Sequence, residues 1–339
     1  MALRRLAALG VLVLAVAPVA GAVSPLPERL QARYDAARDL VESLAPGDPR
    51  LRAAQREIAT VERFDRKPPN GRAVVPPLPP TAGRVRGERA TDTQLAAGLE
   101  ELGRGFDGWA AFWVHDLSTG RTAGWNSDAR FPAASTVKLA VIAAGLRRFG
   151  ASRVSRVHYD ISQVAFWSSN LAANRLVDEV GGARSVYDAL RGLGMTTSTY
   201  PGAYRAGTAL TDAPKPPPHG SIRVTTARDL GRALYRLKAA AAGNRFASRQ
   251  TGLGRFEAAH ALALLRAAWP VGDNEGLLRP WLPGIAVAQK NGWLSDTRST
   301  AAIVYLPAGP KIVVVMAYKP GLKMRRAELL GKRVLALVR

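Results

Sequence analysis

The sequence predicts an α+β domain, a three-layer α/β/α sandwich built on an antiparallel sheet. Three observations carry that expectation. Apolar runs of strand length stand near both ends of residues 93–339, between 109 and 126 and again between 285 and 318. The stretch between them has helical spacing. No internal repeat points to a solenoid or a propeller. At 339 residues and 47% hydrophobic content, the chain can also supply a core for one large domain.

The elements follow in order. A short helix near 93–104 leads into the apolar run Trp109 to Val114. Residues 115–120 supply turn formers, and a second strand follows near 121–126. Residues 135–149 read as a helix closed by Gly150. Further helices are predicted near 168–180, 183–193, 226–240 and 257–268. Three sheet strands follow: Ile285–Lys290, Thr300–Leu306 and Lys311–Tyr318. An amphipathic helix over 324–338 ends the chain.

Ahead of this domain lie three other segments. Arg4 and Arg5, the apolar stretch Leu6 to Val19 and the small-x-small run Ala20-Gly21-Ala22 form a secretory signal pattern over residues 1–22. The apolar run is shorter than the ~20 residues of a usual membrane span, so cleavage before Val23, with no integral span left in the mature chain, is expected over the alternative of an uncleaved membrane anchor. Residues 23–64 read as a helical segment, its second helix capped by Asp48 with Pro49 at the first position. Residues 65–92, rich in Pro, Gly and Arg, read as a linker.

The formal net charge is +22, much of it arginine scattered singly. Such a chain attracts polyanions, and electrostatic association with an anionic cell wall is expected. No zinc knuckle, RNA-binding signature or basic-aromatic stripe favours nucleic acid. The absence of cysteine excludes disulfides, thiolate metal sites and a cysteine nucleophile.

Three short motifs carry chemistry. Ser135-Thr136-Val137-Lys138 places a serine and a lysine one turn apart at a helix start. A lysine shielded from water has a lowered pKa and can take the serine's proton. Ser168-Ser169-Asn170 opens another helix. Lys290-Asn291-Gly292 ends an apolar strand, its glycine letting a ligand lie close to the backbone. Taken singly, each also reads as a helix cap or a strand-end turn. Their common order and contexts match S-x-x-K, S-D-N and K-T-G.

On these residues the chain from about 93 to 339 resembles a class A β-lactamase-type domain, of the β-lactamase and penicillin-binding superfamily. Phe131 to Ala140, Ser168 to Leu176, Thr225 to Leu230 and Lys290 through Tyr318 extend the likeness. The resemblance implies a β-lactamase/transpeptidase-like fold and a serine hydrolase without metal or cofactor. It implies Ser135 as nucleophile, activated by Lys138. Ser168 would relay a proton to the leaving nitrogen, and Asn170 would bind the substrate's acylamino side chain and Lys138. Lys290 would attract the substrate carboxylate and tune Ser168. The backbone N–H groups of Ser135 and Trp293 would form the oxyanion hole. Asn291, Gly292 and Arg298 would contact the substrate, Arg298 at the family's carboxylate-binding position.

Departures from the family pattern shape the expected function. Ser169 replaces the Asp of S-D-N, and Asn291 the Thr of K-T-G. Ser135 and Ser168 are 33 positions apart, far closer than in the family, which implies a reduced helical subdomain and an open site. Between Met195 and Thr226 there is no Glu to activate a deacylating water; Asp212 and His219 are present, but neither matches the family's motif. The expected protein is therefore an extracytoplasmic hydrolase acylated by β-lactams or related amides and slow to deacylate. A D-alanyl-D-alanine peptidase acting on peptidoglycan and a non-catalytic cell-wall module are the alternatives.

Exported protein should begin near Val23 on N-terminal sequencing. Intact Met1 or Ala2 on protein from the cytosolic fraction would contradict the signal reading.

Overall fold

Alternation of side chains along three central strands decides the layering. The structure, a computed structural model, describes residues 47–65, 85–151, 156–202, 223–272 and 275–339, with scattered positions between 32 and 45. The chain divides into two units, residues 1–69 and 70–339. The signal segment, most of the first N-terminal helix and residues 66–84 of the linker lie outside the described residues.

In the first unit, helix α1 (Pro49–Asp65) begins where the sequence places it. Asp48 Oδ1 accepts from the Arg50 amide at 2.8 Å, and Pro49 has no N–H to leave unpaired.

The second unit is built on a six-stranded sheet of order β1-β3-β2-β8-β7-β6. Its strands are β1 (Ala90–Thr91), β2 (Trp109–Asp116), β3 (Arg121–Trp125), β6 (Val287–Trp293), β7 (Thr297–Leu306) and β8 (Gly309–Tyr318). Every pairing is antiparallel except the two-residue β1, which runs parallel to β3. Ala110, Phe112 and Val114 point to one face with Val313, Val315 and Ala317. There they meet Leu99 of α2 (Thr93–Arg104) and Leu330 and Val334 of α10 (Met324–Val338). Ala111, Trp113, Val314 and Met316 point the other way, into the larger core. The helices there are α3 (Lys138–Phe149), α4 (Arg156–Phe166), α5 (Asn170–Glu179), α6 (Ala183–Gly192), α7 (Ala227–Ala241), α8 (Arg245–Thr251) and α9 (Arg255–Gly272). Close approach of α7 to the sheet requires Gly231: a Cβ there would lie 2.1 Å from Trp113 Cδ1. A small second ribbon pairs β4 (Phe131–Pro132) with β5 (Val224–Thr225).

The three-layer α+β architecture matches the sequence expectation, and differences are local. Residues 85–92, assigned above to the linker, run beside β3, where the Arg89 and Asp92 amides donate to Gly120 and Thr122 carbonyls. That pairing uses backbone groups alone, so side-chain composition gives no sign of it. Helices α4 and α8 are absent from the sequence reading. In α4 the helical stripe is not apolar, because buried His158, Asp160, Ser162 and Gln163 interrupt it.

Asp160 accounts for one of these polar positions. It ties α4 to α5 through Arg175, whose Nη2 lies 2.6 Å from Asp160 Oδ1. Burial pushes the Arg175 guanidinium down to about 10. Asp160→Ala leaves that cation without its carboxylate and should cost about 3–5 kcal/mol in denaturant unfolding. Combining Asp160→Leu with Arg175→Met, which removes both charges, should recover most of the loss.

Candidate active site

A tight turn, a left-handed residue and an edge strand bring the three motifs together. Ser135 lies in the turn before α3, which begins at Lys138 rather than at Ser135. Ala134, just before it, has φ +46°, a strained conformation for a residue with a Cβ. The turn is held by Thr136, whose Oγ1 and amide donate to Ala133 O at 2.6 and 3.0 Å, and by the Lys138 amide, which donates to Ser135 O at 3.2 Å. Ser135 itself is half-buried.

Lys138 is fully buried, and its amine reaches across to the start of α5. Nζ donates to the backbone O of Ser168, to Asn170 Oδ1 at 2.5 Å and to Ser168 Oγ at 3.5 Å. Ser168 has φ +57°, again left-handed. Ser169, at the family's Asp position, caps α5, its Oγ accepting from the Ala172 amide at 3.1 Å.

Lys290 reaches the same serine from the sheet. Its Nζ donates to Ser168 Oγ at 2.7 Å and to Asn291 O at 3.2 Å. Burial alone pushes this amine down to about 7. Ser168 Oγ therefore stands between two buried lysines, one from α3 and one from β6. Gly292 faces the same side as Lys290. A Cβ there would lie 3.0 Å from Ser135 N, so glycine suits the close approach of β6 to the nucleophile turn. The backbone continuing into Trp293 lies beside it, and the Trp293 side chain is exposed.

The predicted substrate contacts divide at this strand. Asn291 and Trp293 alternate to the sheet face opposite Lys290 and Gly292. Asn291 is 1% exposed, and its Oδ1 accepts from Thr300 Oγ1 at 2.8 Å. Thr300 Oγ1 in turn accepts from the Leu277 amide at 2.9 Å. Arg298, across from Trp293, folds onto its own turn: Nη1 donates to Thr297 O at 2.8 Å and to Leu294 O. Protein groups thus engage both the Asn291 and the Arg298 side chains, which the sequence reading sets against the substrate. Strand-end composition did not reveal Thr300 as the partner of Asn291.

The described residues on either side of 203–222 are held by bonds of their own. The Ala133 amide donates to Arg223 O at 2.7 Å, and the Thr199 amide to Val224 O at 3.0 Å. Arg223 Nη2 donates to Gly202 O at 3.0 Å. Asp229 Oδ2 accepts at 2.8 Å from the Thr197 and Ser198 amides and from Ser198 Oγ. Nothing in the local sequence marks Asp229 for this anchoring, because the amides that it accepts from lie some thirty residues earlier. Asp212 and His219 lie outside the described residues.

No curated protein matches the chain. Among solved structures, PBP-A is 20% identical with a TM-score of 0.57, covering 75% of this chain and 97% of its own. A mutant of PBP-A, also 20% identical, is an acyl-enzyme complex with penicillin-G. A beta-lactamase from Sphaerobacter thermophilus is 19% identical with a TM-score of 0.57, covering 73% of this chain and 95% of its own. One from Desulfarculus baarsii is 21% identical with the same TM-score, covering 73% and 97%. At these identities the likeness is one of fold. A family model described as Beta-lactamase enzyme family matches residues 94–158 and 161–335. On that match, which takes in all three motifs and most of the chain, the protein belongs to the beta-lactamase enzyme family.

Proposed function

We propose that this protein is a secreted active-site serine hydrolase, acylated at Ser135 by β-lactams or related amides and slow to deacylate. The observation that carries the proposal is the convergence of Lys138 and Lys290 on Ser168 Oγ, at 3.5 and 2.7 Å. Lys138 takes the proton of Ser135, and Ser135 attacks the amide carbonyl. The amides of Ser135 and Trp293 stabilise the oxyanion. Ser168 passes a proton to the leaving nitrogen and is resupplied along its lysine contacts. Asn170, held by Lys138, binds the acyl side chain, and Lys290 attracts the substrate carboxylate. The penicillin-G acyl-enzyme of the PBP-A mutant supports the first half of this cycle.

Slow deacylation rests on the composition of residues 195–226. The described flanks, residues 195–202 and 223–226, hold no carboxylate, and the sequence between Met195 and Thr226 holds no Glu. A positioned base contributes about 10²–10⁴-fold, so hydrolysis lags acylation by a factor of that order. The same lack favours a second reading, a D-alanyl-D-alanine peptidase whose acyl-enzyme is normally taken by a substrate amine. Product analysis with nitrocefin against a D-Ala-D-Ala peptide separates the two.

Intact-mass spectrometry after brief penicillin exposure should show one adduct that persists, and none on Ser135→Ala. Rapid turnover without an accumulating adduct would overturn slow deacylation. Lys290 gives a second expectation. Its amine loses its proton near 7 when folded and near 10.5 when unfolded. Between those values the unfolded chain binds the extra proton, so this group makes stability rise with pH across that window. Lys290→Met should flatten the rise, read as the difference between the two unfolding curves from pH 7 to about 10.

A further inference from the structure

The end of α3 away from Ser135 and the helices that follow carry exposed arginines and aromatics that the proposed reaction does not use. α3 runs from Lys138 to Phe149, a rise of about 16 Å at 1.5 Å per residue. At its far end Arg147, Arg148 and Phe149 are exposed. Arg147 lies against the turn after α8, where a Cβ on Gly252 would meet its Cδ at 2.7 Å. α8 and the start of α9 continue the surface with Arg245, Phe246, Arg249, Arg255 and Phe256, all exposed. Phe246 is 62% and Phe256 65% exposed, the two most open large apolar side chains among the described residues. Among the described residues, no carboxylate pairs with any of these five arginines. Glu257 is the one acid in the first turn of α9.

We propose that this surface docks on an anionic phospholipid membrane. Two features point to lipid. The arginines match phosphate headgroups in charge and in their forked donor geometry. The phenylalanines need an apolar partner, which a bilayer interface offers and a soluble polyanion does not. No described helix is long and apolar enough to cross a membrane. Held this way, α3 stands between the lipid and Ser135.

The chain has no cysteine, so Phe246→Cys gives a unique site for a polarity-sensitive fluorophore. The labelled full chain is mixed with vesicles of phosphatidylcholine alone or with phosphatidylglycerol. The expected result is a blue shift and a several-fold rise in emission with the anionic vesicles only. The same label at Lys323→Cys, exposed at the start of α10, stays silent even if residues 6–19 reach the bilayer. Arg245→Glu with Arg249→Glu on the Phe246→Cys chain should weaken vesicle affinity about tenfold or more. Lys323→Glu with Arg333→Glu, which changes net charge equally, should leave it near the starting value. Equal responses at both label positions, or equal loss from both charge pairs, would overturn the proposal. So would a response to soluble polyphosphate matching that to vesicles, or one growing with protein concentration when no vesicle is present, the sign of a second copy.

Discussion

Two lysines buried against one serine hydroxyl are the constraint around which the catalytic unit is arranged. A buried ammonium is costly unless hydrogen-bond acceptors surround it. Lys138 receives the Ser168 carbonyl and Asn170 Oδ1; Lys290 receives Ser168 Oγ and Asn291 O. Both therefore need the first residues of α5 in one place. The left-handed φ of Ser168 turns its carbonyl and hydroxyl to two different amines, and the Ser169 cap fixes where the helix begins. The Asp160–Arg175 pair then locks that helix to α4. Backbone strain at Ala134 and Ser168 is sustained because the core on either side determines it.

Against this centre, the two replacements within the family's motifs have simple physical readings. Ser169 performs the capping task open to any short oxygen-bearing side chain at that position. Asn291 buries its amide behind β6, where Thr300 bonds it and the Leu277 amide bonds Thr300. That chain fastens the segment entering β6 to the sheet, so the substitution serves the edge of the fold. Lys290 and Gly292, one residue to either side, keep the face toward Ser135 unchanged.

The layers were legible in sequence because period-two alternation in β2, β7 and β8 and the helix spacing leave few arrangements. Ser135, Lys138, Ser168, Asn170 and Lys290 were legible as an ordered set of motifs. Three kinds of feature were not. The parallel pairing of β1 is a backbone contact. The helix α4 hides its period behind a buried charge whose partner sits on the next helix. The directions of Asn291 and Arg298 depend on strand register at a hairpin end, which composition does not fix.

The clamped stems around residues 203–222 bear on how this protein can diversify. Arg223 to Gly202, Val224 to Thr199 and Ala133 to Arg223 close that stretch with contacts outside it. Closing a loop of twice the length costs only about 0.6 kcal/mol more. An insertion or exchange between the stems therefore leaves the nucleophile turn where it is. Sequence change within that stretch is therefore independent of the contacts that hold the chemistry.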